Sequence, residues 1–234
     1  MNTVDKVIKI AMQEVGYLEK SKTAYQKNPS IIYEKTSGAG SDNITKYGFE
    51  MHKIYPGVMD FPAYWCDAFV DWCFYKAYGV TTAKSLLGGN FDDYTVASAG
   101  MYAKHNALDK IPSIGAQVFF TKNGKRSTCY HTGLVYNIDN NYFYTIEGNT
   151  SSIDSVVRNG GCVAKKKYLI SKYNGIALFG HPKYDNELKD LETIAREVRA
   201  GKWGDNPQRS MRLRAAGYNP SIVQDRVNEL LKGK

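Results

Sequence analysis

At Ile111 the hydrophobic period of the chain changes, and this limits its possible architectures more than any other feature. Before that point apolar residues recur at helical spacing. Val4, Val7, Ile8, Ala11 and Val15 share one face, behind a capping Thr3 and ahead of Gly16. Residues 67–78 read as a second helix with Phe69, Trp72 and Cys73 on one side and no breaker before Gly79. Residues 96–104 read as a third. Beyond Ile111 the pattern alternates. Residues 117–120, 130–136 and 142–147 read as strands, separated by turn chemistry at Pro112-Ser-Ile-Gly115, Asn123-Gly124 and Asp139-Asn140-Asn141. Residues 148–150 read as a loop, and weaker strands fit 155–158, 163–169 and 176–179. Helices first and an antiparallel meander afterwards predict an α+β fold.

Two stretches fall outside that scheme. Residues 21–63 are polar and rich in Gly and Pro, and read as a long irregular wall of a cleft. Asp42, Asn43 and Asp60 lie in or near it, but no Asp-x-Asp-x-Asp spacing is present, so they read as solvated loop residues and no metal is expected. After Pro182-Lys-Tyr-Asp-Asn186, helical periodicity returns. Leu188, Leu191, Ile194, Ala195 and Val198 form one face, ended by Gly201. Met211, Leu213, Ala215 and Ala216 form a second, stopped at Gly217; Pro220 opens a third with Ile222, Val223, Val227, Leu230 and Leu231. The chain therefore divides into a larger unit at 1–183, a linker at 184–187 and a three-helix unit at 188–234, the last being close to the lower size limit for independent folding.

The 234 residues carry a formal net charge of +8, which suits a polyanionic partner: nucleic acid, anionic lipid or the phosphate-bearing polymers of a Gram-positive wall. No arginine-rich helix, zinc-finger spacing or RNP-type aromatic pattern occurs, so nucleic acid is not expected. The compact run Lys165-Lys166-Lys167 reads as a solvated strand edge. No apolar run reaches membrane-spanning length, so no stable membrane insertion is expected. Asp5, Lys6 and Lys9 interrupt the apolar residues near Met1, which reads as no signal peptide and as synthesis in a reducing cytoplasm with free thiols.

The chemistry centres on Tyr64-Trp65-Cys66-Asp67, where a short loop runs into the apolar helix. A cysteine at a helix N-terminus feels the partial positive charge of unpaired N–H groups, which favours the nucleophilic thiolate. The alternative is a buried core cysteine, as expected for Cys73. A nucleophile needs a base, and the base an orienting partner. His52, His105 and His181 stand in polar surroundings, whereas His131 opens an apolar strand. Counting back from the turn near Asp139 brings Glu147 of the next strand close to His131, so Glu147 or Asn149 would hold the imidazole. Asp67, beside the nucleophile, is expected to point outward.

Taken in order, Tyr64-Trp65-Cys66-Asp67-Ala68-Phe69-Val70, His131-Thr-Gly-Leu-Val and Ile146-Glu147-Gly148-Asn149-Thr150 resemble the CHAP domain, a papain-like group of cysteine amidohydrolases and peptidases acting on bacterial peptidoglycan. Thr45-Lys-Tyr-Gly48 resembles the segment such domains carry before the cysteine. The departure is Asp67, where a small residue is more common. Residues 194–230, with Gly201-Lys-Trp-Gly204, Arg209, Arg212 and Val223-Gln-Asp-Arg-Val, resemble the Cpl-7-type cell-wall-binding repeat of phage lysins. Together the resemblances imply a phage endolysin that acts on the cell wall after release. Cys66 would be its nucleophile, His131 its base, and Glu147 or Asn149 the orienting group, with no cofactor. Tyr47 and Trp65 would contact substrate, and Trp203, Arg209 and Arg212 would contact muropeptide, although Trp203 reads equally well as core. The implied activity is N-acetylmuramoyl-L-alanine amidase, with a peptidoglycan endopeptidase as the alternative. A non-catalytic wall-binding protein is the reading from another class. With a single repeat, self-association through the C-terminal unit would strengthen wall binding.

Overall fold

A computed structural model describes residues 2–139, 141–153, 155–185, 189–216 and 218–232. The first part is helical: α1 (Val4–Glu14), α2 (Lys22–Lys27), α3 (Lys46–Ile54), α4 (Cys66–Tyr78), α5 (Val80–Leu86) and α6 (Thr95–Lys104). The strands follow as β1 (Leu108–Asp109), β2 (Gln117–Thr121), β3 (Cys129–Ile138), β4 (Tyr142–Thr150), β5 (Cys162–Leu169) and β6 (Ala177–Gly180), with a short α7 (Ile170–Tyr173) between the last two. They form one sheet in the order β1-β6-β2-β3-β4-β5, with every pairing antiparallel. The fold is α+β, as the change of period predicts.

Helix α4 is the hub. Every residue from Cys66 to Phe74 is buried, which is what an apolar sequence on all faces requires. It packs on α1, α3, α5 and the strands β3 and β4. Gly79, at φ 76°, ends it in a conformation that favours glycine. The period-two alternation of the strands divides their apolar residues between two cores. Phe119, Leu134, Ile146 and Leu178 join the core around α4. Val118, Phe120, Val135, Phe143 and Tyr168 form a second core, with Ile170 and Tyr173 of α7 packed against it.

Several sequence-based expectations need correction. Residues 21–63 are not one irregular wall. They hold α2, a 3-10 turn at Pro29–Tyr33 and α3, which Thr45 opens by accepting from Gly48 N at 3.1 Å. Asp42 accepts from Lys22 N at 2.7 Å. Residues 148–150 belong to β4 rather than to a loop, although the register slips between Glu147 and Thr150. No strand forms at 155–158. Lys165 and Lys167 are exposed, but Lys166 between them is buried, because alternate residues of a strand face opposite sides. Its ammonium group donates to Ser155 O at 2.6 Å and Ser151 O at 3.0 Å. The short α5 and β1 lie where no periodicity was legible.

The three C-terminal helices are α8 (Leu191–Arg199), α9 (Gln208–Ala215) and α10 (Pro220–Lys232). Ile194, Ala195, Val198, Leu213, Val223 and Val227 make their core. Leu191, Ile222 and Leu231, expected on the inner faces, are instead exposed. Leu188, Gly217, Asn140 and the linker positions 186–187 lie outside the described residues.

Candidate active site

Cys66 is the first residue of α4 and is 6% exposed. The residue before it, Trp65, takes the cap position at φ −121°, ψ 18° without a side-chain capping bond. The first-turn N–H groups of α4 therefore receive no acceptor from the cap side chain and keep their positive end toward the sulfur.

His131 and Glu147 are both fully buried, with Nε2 and Oε2 2.9 Å apart. The β3–β4 register runs Leu134↔Ile146 and, continued, sets Gly133 rather than His131 opposite Glu147. The contact is thus diagonal across the ladder. Gly133 makes it possible: a Cβ there would stand 2.5 Å from Glu147 Cγ. The carboxylate crosses over the bare Cα of Gly133 to reach the imidazole. Its other oxygen accepts from Thr145 Oγ1 at 2.5 Å.

Burial alone would lower the pKa of His131. Interaction with Cys66 and with Glu147 outweighs it and lifts the pKa to about 9. Burial likewise opposes ionisation of Glu147, but His131 and the Thr145 hydroxyl hold it below the usual carboxylate range. The second ring nitrogen, Nδ1, is buried and has no hydrogen-bond partner among the described residues. The ring is also stacked on Phe120, with centroids 6.0 Å apart. Cys66, His131 and Glu147 thus form one chain of contacts: a sulfur at a helix N-terminus, a cationic imidazole and an anionic carboxylate.

Asn149, the alternative partner for His131, shows no hydrogen bond to it, and its Oδ1 is buried without a partner among the described residues. The slip in β4 after Glu147 turns it into the left-handed region at φ 53°, and its Nδ2 donates to Asn43 Oδ1 at 3.4 Å. Tyr47 and Trp65, expected to contact substrate, are 0% and 1% exposed. They stack on each other at 5.4 Å and send their polar atoms to Glu14 and Glu19. Tyr47 also packs edge-on against Phe69 and Trp72, so the pair belongs to the core beneath α4. Glu19 went unnoticed in the sequence. Its carboxylate is 2% exposed and accepts from Trp65 Nε1 at 2.8 Å, fixing the residue that precedes Cys66. A partner 46 residues away leaves no local signal.

Asp67 points inward, against expectation. It is fully buried and accepts from Ser98 Oγ at 2.7 Å and from Gln117 Nε2 at 2.8 Å. The bonds tie the nucleophile's helix to α6 and β2, away from the sulfur. Burial pushes its pKa up to about 7, against the pull of those two donors. A carboxyl that holds its proton more tightly when folded makes the protein less stable as pH rises. Its contribution is complete below the ordinary carboxylate pKa and is lost through about 7. Asp67→Asn is expected to flatten the fall in thermal stability between pH 4 and 7, a term on the order of 2–4 kcal/mol. Melting temperatures across that range check this, and an unchanged slope contradicts it. Burial, and then the neighbouring Asp67, raise Asp71 as well.

In the three-helix unit, Trp203 is half-buried against the core, donating to Glu197 Oε2 at 3.1 Å and meeting Tyr218 edge-on. Arg212 is exposed and donates to Trp203 O at 3.3 Å, so these two lie together. Arg209 is turned to Gln224 Oε1 at 2.8 Å. Among the described residues no cluster of His, Cys, Asp and Glu is arranged to hold a metal ion, and no helix is long and apolar enough to cross a membrane.

Comparison with known proteins places these features in two families. The CHAP domain model matches residues 58–149, and the CW_7 repeat model matches residues 192–231. A lysozyme of Streptococcus phage Cp-7 is 50% identical over 46 residues, which is 20% of this chain and only 14% of that protein's length. A solved structure described as the crystal structure of Ly7917 with the hydrolyzing product of MDP is 13% identical, with a TM-score of 0.36. That match covers 77% of this chain and 63% of the other. The chain carries a CHAP domain at residues 58–149 followed by a CW_7 repeat at residues 192–231.

Proposed function

We propose that the protein is a phage-lysin-type peptidoglycan hydrolase, and within that class an N-acetylmuramoyl-L-alanine amidase acting on the bacterial wall after release. The observation that carries the reading is the chain of contacts from Cys66 at the α4 N-terminus through His131 to Glu147. A CHAP domain joined to a CW_7 repeat supports the substrate class. Residues 1–183 act as the catalytic unit and 188–234 as the wall-binding unit, joined through 184–187. In the latter, Trp203 and Arg212 are the adjacent pair suited to a muropeptide, while Arg209 serves the packing of α9 on α10.

Cys66 attacks as the thiolate, its proton having passed to His131. A C–S bond forms at the amide carbon, and the carbonyl electron pair moves to oxygen. The N–H groups at the start of α4 stabilise that oxyanion. Collapse breaks the C–N bond as His131 gives its proton to the leaving amine. Water, deprotonated by His131, then hydrolyses the thioester and frees the sulfur. Glu147 keeps the imidazole oriented and stabilises its cationic form.

Mass spectrometry of digested walls tests the bond. New amino groups on L-Ala, with lactyl carboxylates freed on muramic acid, are expected. New termini within the stem or cross-bridge would instead make the enzyme an endopeptidase.

A further inference from the structure

We infer that Arg158, standing over the ring of Tyr64, forms a subsite close to Cys66 for a carboxylate of the substrate's peptide; the inference rests on the hydrolase reading above. The larger unit contains two arginines, Arg126 and Arg158. Arg126 is committed to structure, donating to Val96 O at 3.0 Å. Arg158 is exposed and has no hydrogen bond or ion pair among the described residues. Its guanidinium carbon stands 5.2 Å from the centre of the Tyr64 ring. With no hydrogen bond or ion pair among the described residues, its N–H fork is open to a carboxylate, which it matches in two-point fashion.

The position is held from both sides. Arg158 lies on the segment between β4 and β5, which begins directly after Thr150, three residues beyond Glu147. Lys166 holds the outgoing part of the segment through Ser151 O and Ser155 O. On the return, Gly160 N donates to Asn149 O at 3.1 Å, and Gly161 O accepts from Glu19 N at 2.8 Å. Tyr64 is 49% exposed and precedes Cys66 by two residues, so their Cα atoms are at most about 7 Å apart. The cation therefore lies near Cys66 but not against it, where it would meet a group some residues along the peptide from the bond that is cut. Stem peptides offer such a group in the α-carboxylate of D-glutamate, which amidation to isoglutamine neutralises.

Two synthetic muramoyl tripeptides provide the test, identical except for D-glutamate or D-isoglutamine at the second position. The wild-type protein is expected to favour the acid in kcat/KM, and Arg158→Gln to lower the acid-to-amide ratio roughly tenfold, the scale of one exposed charge-assisted pair. Arg158→Lys, which keeps charge but loses the planar fork, restores only part of it. Tyr64→Leu lowers the ratio in the same direction. A ratio unchanged in Arg158→Gln overturns the subsite while leaving the hydrolase reading intact. Titration of the acid probe into Cys66→Ala protein, with and without Arg158→Gln, gives a readout that needs no turnover. If the wild-type protein cuts neither probe but the acid binds in an Arg158-dependent manner, the subsite stands and the assigned reaction falls. Acid binding that ignores Arg158 overturns the subsite by this route too.

Discussion

Cys66→Ala is expected to reduce wall hydrolysis below detection, a loss on the order of 10⁶-fold when the nucleophile of such a constellation is removed. Sedimentation with purified walls should persist, because the CW_7 repeat at 192–231 does not depend on the sulfur. The variant should also fold. Deleting one sulfur atom at a 6%-exposed position at the end of α4 removes little packing, and the core residues that hold the helix, Phe69, Trp72 and Cys73, are untouched. Turbidity clearing and pull-down measured side by side check both halves. Clearing that survives the substitution would leave the protein as a wall binder built on the same fold, and the assigned chemistry would be lost.

The second large effect belongs to Glu147. Glu147→Gln keeps the shape, and Gln can still accept from His131 while its amide turns to the Thr145 hydroxyl, now an acceptor. Only the charge is removed. The expected loss in kcat is roughly 10²- to 10⁴-fold, the range for groups that orient and charge-stabilise a catalytic base. The pH profile identifies the cause. His131 titrates at about 9 when folded, above its ordinary value near 6.5. Its favourable interactions are therefore fully present below about 6.5 and are lost as pH rises through about 9. The alkaline limb of wild-type activity should fall there. Without the Glu147 charge only Cys66 raises the pKa against burial, so the limb should move to lower pH in Glu147→Gln. A loss of activity with the alkaline limb unmoved would assign Glu147 to packing alone. Circular dichroism and a melting curve at pH 6 separate the two effects.

Gly133 explains why this pair exists at all. In an antiparallel ladder, facing residues are the closest, and Glu147 faces Gly133. The diagonal reach to His131 is open only because Gly133 has no side chain. The motif His131-Thr-Gly133 thus encodes a path for the carboxylate as well as a base. Glycine in a strand interior is a local signal that something approaches closely.

Much of the fold was written in periodicity. Helical spacing before Ile111, alternation after it and helical spacing again past 190 sufficed for the α+β class, for the burial of α4 and for the three-helix end. Alternation did not carry the parity that sets His131 and Glu147 on one face: the β3–β4 register shifts by one residue between Val135 and Asn137, and the pairing next to the turn, continued without that shift, would leave the two on opposite faces. What periodicity does not carry is which of two neighbouring residues a bulge turns away, or what covers a given side chain. Asn149 was an equal alternative to Glu147 in the sequence; in the fold Glu147 is the one that bonds the imidazole, while Asn149, past the register slip, donates to Asn43. Asp67 reads as a surface carboxylate until Ser98 and Gln117 arrive from 31 and 50 residues away. Lys166 reads as solvated until the segment after β4 folds over it, and Glu19 is silent until Trp65 meets it. The sequence by itself therefore determined the elements, the faces they bury and the residue types that react, because these depend on spacing along the chain. The tertiary structure alone decided which carboxylate serves His131, which supports the nucleophile's helix and where Arg158 comes to rest, because those contacts join segments whose meeting is set by packing.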